Sequence, residues 1–285
     1  MSTRTQEVIM LLTPSIEHHA RTRTRVRVNV PYVPAILAAS AVTAARAPHL
    51  ALPQGRDVHV WHIDLRDMGT DAVNLLDAAE LARAQRFVYA HDWRRYVAAH
   101  AWLRRVLGAY LGIAPQHLRF DADAHGKPML AHRHANGDAA LRFNMSHSKD
   151  IALIAVTSGP EVGVDIEALR DDLPGPDLAA GVLSAGELDE LARCAPQDHP
   201  AVFVGCWTRK EACLKALGVG LGLEPRALDV GLQAQRMTLQ LGSGEPAVDL
   251  APLPCPPGYA AALAVVGGFA GVARQDAALV WEGMS

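Results

Sequence analysis

The sequence is poor in cysteine and contains no long apolar run, and both absences limit what the protein can be. Its four cysteines are Cys194, Cys206, Cys213 and Cys255. They form no CxxC pair and show no zinc-type spacing with the thirteen histidines, so free thiols in a reducing compartment are expected. No apolar run reaches the roughly 18 residues that span a bilayer. We therefore predict a cytoplasmic protein without membrane contact.

The chain also lacks a strong net charge and the common nucleotide-binding loops. The net charge is −3 at pH 7, which gives no reason to expect a nucleic-acid partner. Neither a Walker loop nor GxGxxG is present. Lysine is scarce as well: Lys127, Lys149, Lys210 and Lys215 are the only lysines in the sequence, and all other Lys/Arg positions are arginine. Such lysines are candidates for places where a compact ammonium is needed.

Residues 1–56 differ from the rest of the 285-residue chain. RTRTRVRV at 21–28 is basic, and the apolar stretch that follows begins too late for a signal peptide. We predict a poorly ordered extension; an organelle leader or a nucleic-acid-binding arm is the alternative. The globular part is predicted to form an N-terminal half at 57–160 and a C-terminal half at 161–285.

Hydrophobic periodicity predicts helices and strands in the same order in both halves. The first half has a helical stretch at 75–112, which we expect to break near His91, with Asp92 as the N-cap of its second helix. Predicted strands cover 58–65, 118–122, 141–146, 150–158 and 161–168. Helices at 186–195 and 200–218 and strands at 227–233, 237–241 and 258–268 follow. The pattern predicts an α+β fold of two similar halves packed side by side.

The strand GVDIE at 163–167 carries two carboxylates on one face. Side chains alternate along a strand, so Asp165 and Glu167 point one way while Val164 and Ile166 point to a buried side. Two nearby carboxylates repel each other and gain from a shared cation, and an oxygen-only ligand set suits Mg²⁺. A solvated strand face is the simpler alternative for this motif alone.

The helix WTRKEACLKA at 207–216 aligns Trp207, Glu211 and Lys215 on one face, with Lys210 on an adjacent row. An ordinary Glu–Lys helix pair would explain part of this pattern. A Glu that reaches a metal and a Lys that neutralises a phosphate explain the whole of it, because phosphoryl transfer relies on positioning and charge stabilisation.

Two upstream segments favour phosphate binding over nucleophilic catalysis. FNMSHS at 143–148 places Ser146 and His147 at a strand end without a GxSxG elbow, so a Ser hydroxyl and a His cation are predicted to hold phosphate. HGKP at 125–128 is a turn with a basic residue, which by itself could be any surface loop.

Taken in order, these motifs resemble those of the Sfp-type 4′-phosphopantetheinyl transferases. That family has G-K-P, F-N-[LIM]-S-H-S, G-[IV]-D-[IVL]-E and W-x-x-K-E-[AS]-x-x-K, all present here over roughly residues 57–270. Departures are modest: Met145 replaces Leu or Ile, and LSAGE at 183–187 replaces F-[ST]-x-x-E while keeping Ser184 and Glu187 as a capping box.

The resemblance implies transfer of the phosphopantetheine arm of coenzyme A to a serine of an acyl or peptidyl carrier protein, releasing 3′,5′-ADP. It implies a monomer with two halves in a pseudo-two-fold arrangement and the active site at their interface. Mg²⁺, or Mn²⁺, would be held by Asp165, Glu167 and Glu211. Glu211 and Lys215 would be catalytic, Glu211 as the base for the carrier serine, and Trp207 would pack at the site. Coenzyme A contacts would come from Arg83, Arg86, Arg95, Lys127, Pro128, Ser146, His147, Asp165, Lys210 and Lys215.

Two other functions compete with this interpretation. One is a different Mg²⁺-dependent phosphotransferase with a nucleotide-like donor. The other is a non-catalytic carrier-protein or nucleic-acid binder, suggested by the basic arm.

Overall fold

The computed structural model describes residues 49–131, 141–170, 176–242, 245–275 and 277. Its α-helices are α1 Ala72–Leu75, α2 Ala78–Ala84, α3 Ala90–Leu111, α4 Pro176–Val182, α5 Ala185–Leu191 and α6 His199–Leu217. Its strands are β1 Val58–Asp64, β2 Phe120–Ala122, β3 Pro128–Leu130, β4 Leu141–Ser148, β5 Ile151–Ser158, β6 Val162–Ala168, β7 Met237–Leu239, β8 Val248–Pro252, β9 Tyr259–Val266 and β10 Val272–Gln275. None of the described helices is long and apolar enough to cross a membrane.

The strands form two four-stranded sheets and one separate hairpin. The first sheet has the order β10-β1-β5-β4 and the second has the order β6-β9-β8-β7, and within the described residues β2 pairs only with β3. All pairs are antiparallel except β1 with β10. Because β10 comes from the C-terminal half and completes the first sheet, the chain does not divide cleanly at residue 160.

Three apolar clusters place the two long helices and the two sheets relative to one another. Trp102 and Val106 of α3 share one cluster with Phe143 and Ile154 of the first sheet. Phe203, Cys213 and other α6 residues share another with β8 and β9 of the second sheet. A third cluster contains residues of both sheets, namely Val60, Leu153, Val164, Ile166 and Leu263. Each half is therefore a long helix on a sheet, and the sheets meet through a common core, which is a mixed α+β architecture.

Two boundaries in the first half differ from the predictions: where the packed chain begins and where the second helix begins. Leu50 and Leu52 pack against the α3 cluster, so the packed chain starts before residue 57, while residues 1–48 of the predicted extension lie outside the described residues. The second helix begins at Ala90 with Tyr89 as its N-cap. Asp92 was the wrong cap, because its own N–H already donates to the Tyr89 carbonyl at 3.1 Å inside the first turn.

The predicted strand at 227–233 does not form. Its carbonyls accept hydrogen bonds from α6 side chains instead of from a neighbouring strand: Lys210 Nζ binds the Leu228 oxygen, and Arg209 binds the oxygens of Val230 and Gly231. Apolar alternation is present in this segment, but its backbone is satisfied by buried cations. The predictions also missed β3, β8 and β10, which are short, and the helices α1 and α4.

The four cysteines all lie in described segments and none forms a disulfide, as predicted. Cys206 and Cys213 are buried in the α6 cluster, where burial raises the pKa of both thiols, that of Cys213 to about 12. They are apolar packing groups in α6 rather than nucleophiles.

Candidate functional site

Strand β6 presents its carboxylates to α6, as the alternation predicted. Val164 and Ile166 are fully buried in the core shared by the two sheets. Asp165, on the opposite face, is 2% exposed and pairs with Lys215 of α6. The register of β6 is determined by the apolar face, because a slip of one residue would bury the carboxylates between the sheets.

Gly163 allows α6 to lie directly on β6. A Cβ at this position would stand 2.1 Å from the Ala212 carbonyl oxygen and 2.4 Å from the Ala216 nitrogen, well inside any contact distance. The first residue of GVDIE is therefore glycine because the helix backbone occupies the space of a side chain. This close approach brings the last two turns of α6, with Glu211 and Lys215, next to Asp165.

Lys215 joins the two elements by its ammonium. Its Nζ donates to Asp165 Oδ1 at 2.6 Å and to Ser146 Oγ at 3.2 Å. Burial alone would lower the pKa of Lys215, but the charges of Asp165 and Glu211 outweigh burial and raise it. The lysine is therefore charged and held at the meeting point of β4, β6 and α6.

Alternate side chains of β4 bind the edge of β6 that lies opposite its partner strand β9. The N–H of Val164 donates to Asn144 Oδ1 at 2.9 Å, and that of Ala168 donates to Ser148 Oγ at 3.0 Å. Between them, the N–H of Ile166 lies 3.4 Å from its acceptor, the hydroxyl of the middle serine. Polar side chains thus take the place of a neighbouring backbone along this edge, and they join the two sheets.

The two serines of this row also hold the carboxylates. Ser146 Oγ donates to Asp165 Oδ1 at 2.7 Å, and Ser148 Oγ donates to Glu167 Oε2 at 3.0 Å. Each serine therefore accepts from a β6 N–H and donates to the acid next to it. Ser146 was predicted to bind phosphate, and no role was predicted for Ser148. The period-two spacing of Asn144, Ser146 and Ser148 was the signal that could have revealed the row.

The carboxylates are in an environment that disfavours their charge. Burial, and next the charge of Asp165, raise the pKa of Glu167. Burial raises the pKa of Glu211 to about 7, with Lys215 acting against it and Asp165 adding to it. Among the described residues Asp165 Oδ2 is buried without a hydrogen-bond partner. These features fit a cation beside the three acids, since an unpaired buried oxygen and mutual repulsion are both relieved by positive charge.

No three acids, imidazoles or thiols in the described segments stand together closely enough to enclose a metal ion as they are. Lys215 supplies the positive charge at Asp165 in this arrangement. In proteins, Mg²⁺ usually takes one or two carboxylates and completes its shell with substrate oxygens and water.

A cleft of about 360 Å³ opens beside these groups. Three of the four sequence motifs line it: the turn 125–128, Asn144 and Met145 of β4, and Glu211, Leu214 and Lys215 of α6. Lys127 and Pro128 line this cleft, and their contact with coenzyme A stays a prediction. Two glycines that follow α6, Gly218 and Gly220, complete the lining.

The surroundings of His147 disfavour the predicted imidazolium cation, and its contact with phosphate stays a prediction. Burial, and then the positive charges of His100, Lys215 and Arg95, lower its pKa to about 4. Arg95 itself donates to Asp150 at 2.9 Å. His100 likewise lies 3.0 Å from Glu80 Oε1, so the cations around this imidazole already have carboxylate partners.

The remaining arginines differ in how closely they approach this group. Arg83 ends α2 and is exposed, and its charge acts on Tyr96, which stacks on His100 at 4.1 Å between ring centroids. Arg86 is exposed just beyond α2. Among the described residues, no ion pair or hydrogen bond joins its side chain to His147, so its assignment to a ligand stays a prediction.

Lys210 faces away from the carboxylates, so its predicted contact with coenzyme A does not fit the structure. It is fully buried, lies 2.6 Å from Glu187 Oε2, and donates to the carbonyls of Pro225 and Leu228. Glu187 also forms the predicted capping box with Ser184. Trp207 is likewise buried, in the α6 cluster rather than against a ligand. Lys210 and Trp207 thus serve the core of the C-terminal half, although Trp207 lies on the same helix face as Glu211 and Lys215, which line the cleft.

Comparison with known proteins agrees with this geometry. A model described as 4′-phosphopantetheinyl transferase, N-terminal, matches residues 61–159, and the 4′-phosphopantetheinyl transferase superfamily matches residues 161–264. The 4′-phosphopantetheinyl transferase HetI of Nostoc sp. is 36% identical over 179 residues, 62% of this chain and 74% of the relative.

Two relatives share the description L-aminoadipate-semialdehyde dehydrogenase-phosphopantetheinyl transferase. That of Eremothecium gossypii is 32% identical over 223 residues, which cover 73% of this chain and 78% of the relative. The human protein is 30% identical over 169 residues, 56% of this chain and 54% of the relative. With both halves matched in order by the two models, the chain belongs to the 4′-phosphopantetheinyl transferase superfamily and is a transferase.

Proposed function

We propose that the cleft between β4, α6 and the 125–128 turn binds coenzyme A, and that Glu211 and Lys215 act on its diphosphate. The reaction is transfer of the 4′-phosphopantetheine arm to a serine of an apo carrier protein. The observation that carries this proposal is the ion pair of Lys215 Nζ with Asp165 Oδ1 at 2.6 Å, beside a cleft that Lys215 and Glu211 line.

Mg²⁺, or Mn²⁺ in its place, is proposed to be held by Asp165, Glu167 and Glu211 together with oxygens of the diphosphate. When bound, it would supply the charge that neutralises the diphosphate. The unpartnered Asp165 Oδ2 and the repulsion among the acids support this assignment. The protein's own contribution is to hold these carboxylates in place through Ser146 and Ser148.

Glu211 is proposed as the base. Its pKa of about 7 lets it accept a proton near neutral pH, which is the requirement for a general base. The carrier serine Oγ would lose its proton to Glu211 and form a bond to the phosphorus of the phosphopantetheine arm. The P–O bond of the diphosphate would break, and 3′,5′-ADP would leave. Lys215, which stays charged, would stabilise the developing charge on the leaving phosphate.

The cations near His147 are proposed to receive another phosphate of coenzyme A. Arg95 and His100 lie close enough to lower the pKa of His147, and the charge of Arg83 acts on Tyr96, which stacks on His100. Lys210 is not part of this proposal, because its ammonium is enclosed. We expect the protein to act in the cytoplasm. We also expect a monomer with pseudo-two-fold halves, because one chain supplies both sheets and the cleft between them.

The direct test is the mass shift of apo carrier proteins incubated with coenzyme A. We expect modification only with Mg²⁺ or Mn²⁺, and near-complete loss in Glu211→Gln with its circular dichroism unchanged. Thermal stabilisation by coenzyme A but not by ATP would separate this function from that of another phosphotransferase. Full activity in Glu211→Gln would refute the role of Glu211. A panel of acyl and peptidyl carriers would identify the pathway served.

A further inference from the structure

The β2–β3 hairpin forms one wall of the cleft but belongs to neither large sheet. Its two strands are three residues each and, in the part of the chain that the structure describes, pair only with one another. An isolated two-stranded hairpin is marginally stable in water, so the position of this wall depends on side-chain contacts. At its base, the ring of Phe120 lies 5.7 Å from that of Phe143. This ring contact is at the base of the hairpin, so the tip, residues 123–128, must be held in place by other contacts.

The tip is first shaped by Asp123. Its Oδ1 accepts the N–H of His125 at 2.8 Å and that of Lys127 at 2.9 Å, while Gly126 takes a φ of 87°. A Cβ at Gly220 would stand 3.2 Å from the Cβ of His125, so the tip also rests on the loop that follows α6. These contacts define the turn but do not hold it against the start of β6.

Glu161 holds the tip to the second half. Its Oε2 accepts from Lys127 Nζ at 2.9 Å, and the same ammonium donates to the Val162 carbonyl at 3.2 Å. Arg142 Nε lies 2.7 Å from the other carboxylate oxygen. Two of the three N–H donors of the Lys127 ammonium are therefore engaged by protein. The side chain is only 15% exposed, so little of the ammonium is left for a ligand.

We propose that Glu161 is a positioning residue. By holding Lys127 across the two halves, it places the backbone of the 125–128 turn over the cleft. Lys127 then serves coenzyme A binding through the position of the turn rather than through its charge on the ligand. The inference rests on the proposed function, since the cleft is taken as the coenzyme A site. Glu161 lies outside the GVDIE motif, and sequence analysis gave it no role.

The experiment combines hydrogen exchange of the turn amides with coenzyme A affinity by calorimetry. Glu161→Gln is expected to speed exchange at residues 125–127 and to weaken coenzyme A binding about five- to tenfold, the loss of one partly buried ion pair. The kcat with the carrier protein should change less than about twofold, because a residue that only positions the turn affects coenzyme A binding and not the chemical step. Arg142→Gln is the matched control, because it removes the other cation on Glu161 and leaves Lys127 held.

The charge swap decides between the two roles of Lys127. The pair Lys127→Glu with Glu161→Lys is expected to restore slow exchange and most of the affinity that Lys127→Glu alone loses. A swap that restores slow exchange but not affinity would overturn the proposal, because the lysine charge would then act on the ligand. If the unaltered protein does not bind coenzyme A, the proposed function fails, while exchange in Glu161→Gln still reports whether the ion pair holds the turn.

Discussion

Lys215 of α6 and Asp165 of β6 form an ion pair of 2.6 Å, although the two residues are 50 positions apart in the chain. The carboxylate is almost fully buried and a serine from a third element, β4, donates to the same oxygen. The pair therefore depends on how closely the helix lies on the strand. Glycine at the start of GVDIE makes that approach geometrically feasible.

Gly163→Ala is expected to destabilise the protein by at least about 2 kcal/mol, because the new methyl group would overlap α6 backbone atoms that cannot rotate away. Urea unfolding measures the loss. Gly205→Ala is the matched control in α6, where an added Cβ meets nothing within 4 Å and helix propensity improves by up to about 1 kcal/mol. Equal effects of the two changes would contradict the close approach.

The contribution of Glu211 to stability is expected to fall as pH rises in the metal-free protein. The folded pKa of about 7 lies above the ordinary value of 4.5, so the folded state holds a proton that the unfolded state has released. The contribution of Glu211 to the free energy of unfolding is fully present below pH 4.5. It is lost as pH rises through 7, by up to about 1.4 kcal/mol per pH unit.

Urea unfolding of the unaltered protein and of Glu211→Gln, in EDTA from pH 5 to 8, gives this contribution by difference. Mg²⁺ should stabilise the unaltered protein more at pH 8 than at pH 5, because the ion competes with the proton. A difference between the two proteins that stays constant with pH in EDTA would mean that Glu211 ionises normally.

Ser148→Ala is expected to weaken Mn²⁺ binding about tenfold, as removal of a group that orients a metal-bound carboxylate does. Ser148 donates to Glu167 and also accepts from the Ala168 N–H. Electron paramagnetic resonance of free Mn²⁺ measures affinity without any substrate. Ser158→Ala controls for the substitution, since among the described atoms the Ser158 hydroxyl is buried without a partner. Unchanged Mn²⁺ affinity in Ser148→Ala would argue against Glu167 as a ligand.

Lys210→Met is expected to cost about 3–5 kcal/mol, because it leaves the Glu187 carboxylate buried without its counter-charge. Lys149→Met, at an exposed lysine, should be nearly neutral. Coenzyme A affinity, measured at low temperature where Lys210→Met remains folded, should stay within about twofold of the unaltered protein, since no transition-state or ligand contact is removed. A stable Lys210→Met protein with much weaker coenzyme A binding would reinstate this lysine as a ligand contact.

Local patterns in the sequence were sufficient for most elements and for the family. Alternation in 162–168 predicted which side chains share a face, because the strand period is two and one face is apolar. The capping box of Ser184 and Glu187 is likewise a local signal, and the structure contains it. The motifs and their order determined the transferase assignment without any coordinates.

Contacts between distant segments could only be decided by the tertiary structure. The stretch 227–233 alternates like a strand, yet its carbonyls are bound by Arg209 and Lys210, which the local pattern does not include. For the same reason Lys210 was assigned to a ligand although it lies in the core. Helical periodicity places residues 210 and 211 on adjacent rows, but only packing determines which row meets the core.

GVDIE and the WTRKEACLK helix thus became one site through packing. Sequence alone determined which residues could hold a cation and a phosphate, because side-chain chemistry and strand and helix periods are local properties. Tertiary structure decided that Gly163 brings α6 onto β6, that Ser146 and Ser148 bind both the β6 edge and its carboxylates, and that Glu161 holds Lys127. These decisions depend on distances between segments that lie up to about 70 residues apart, which no local period encodes.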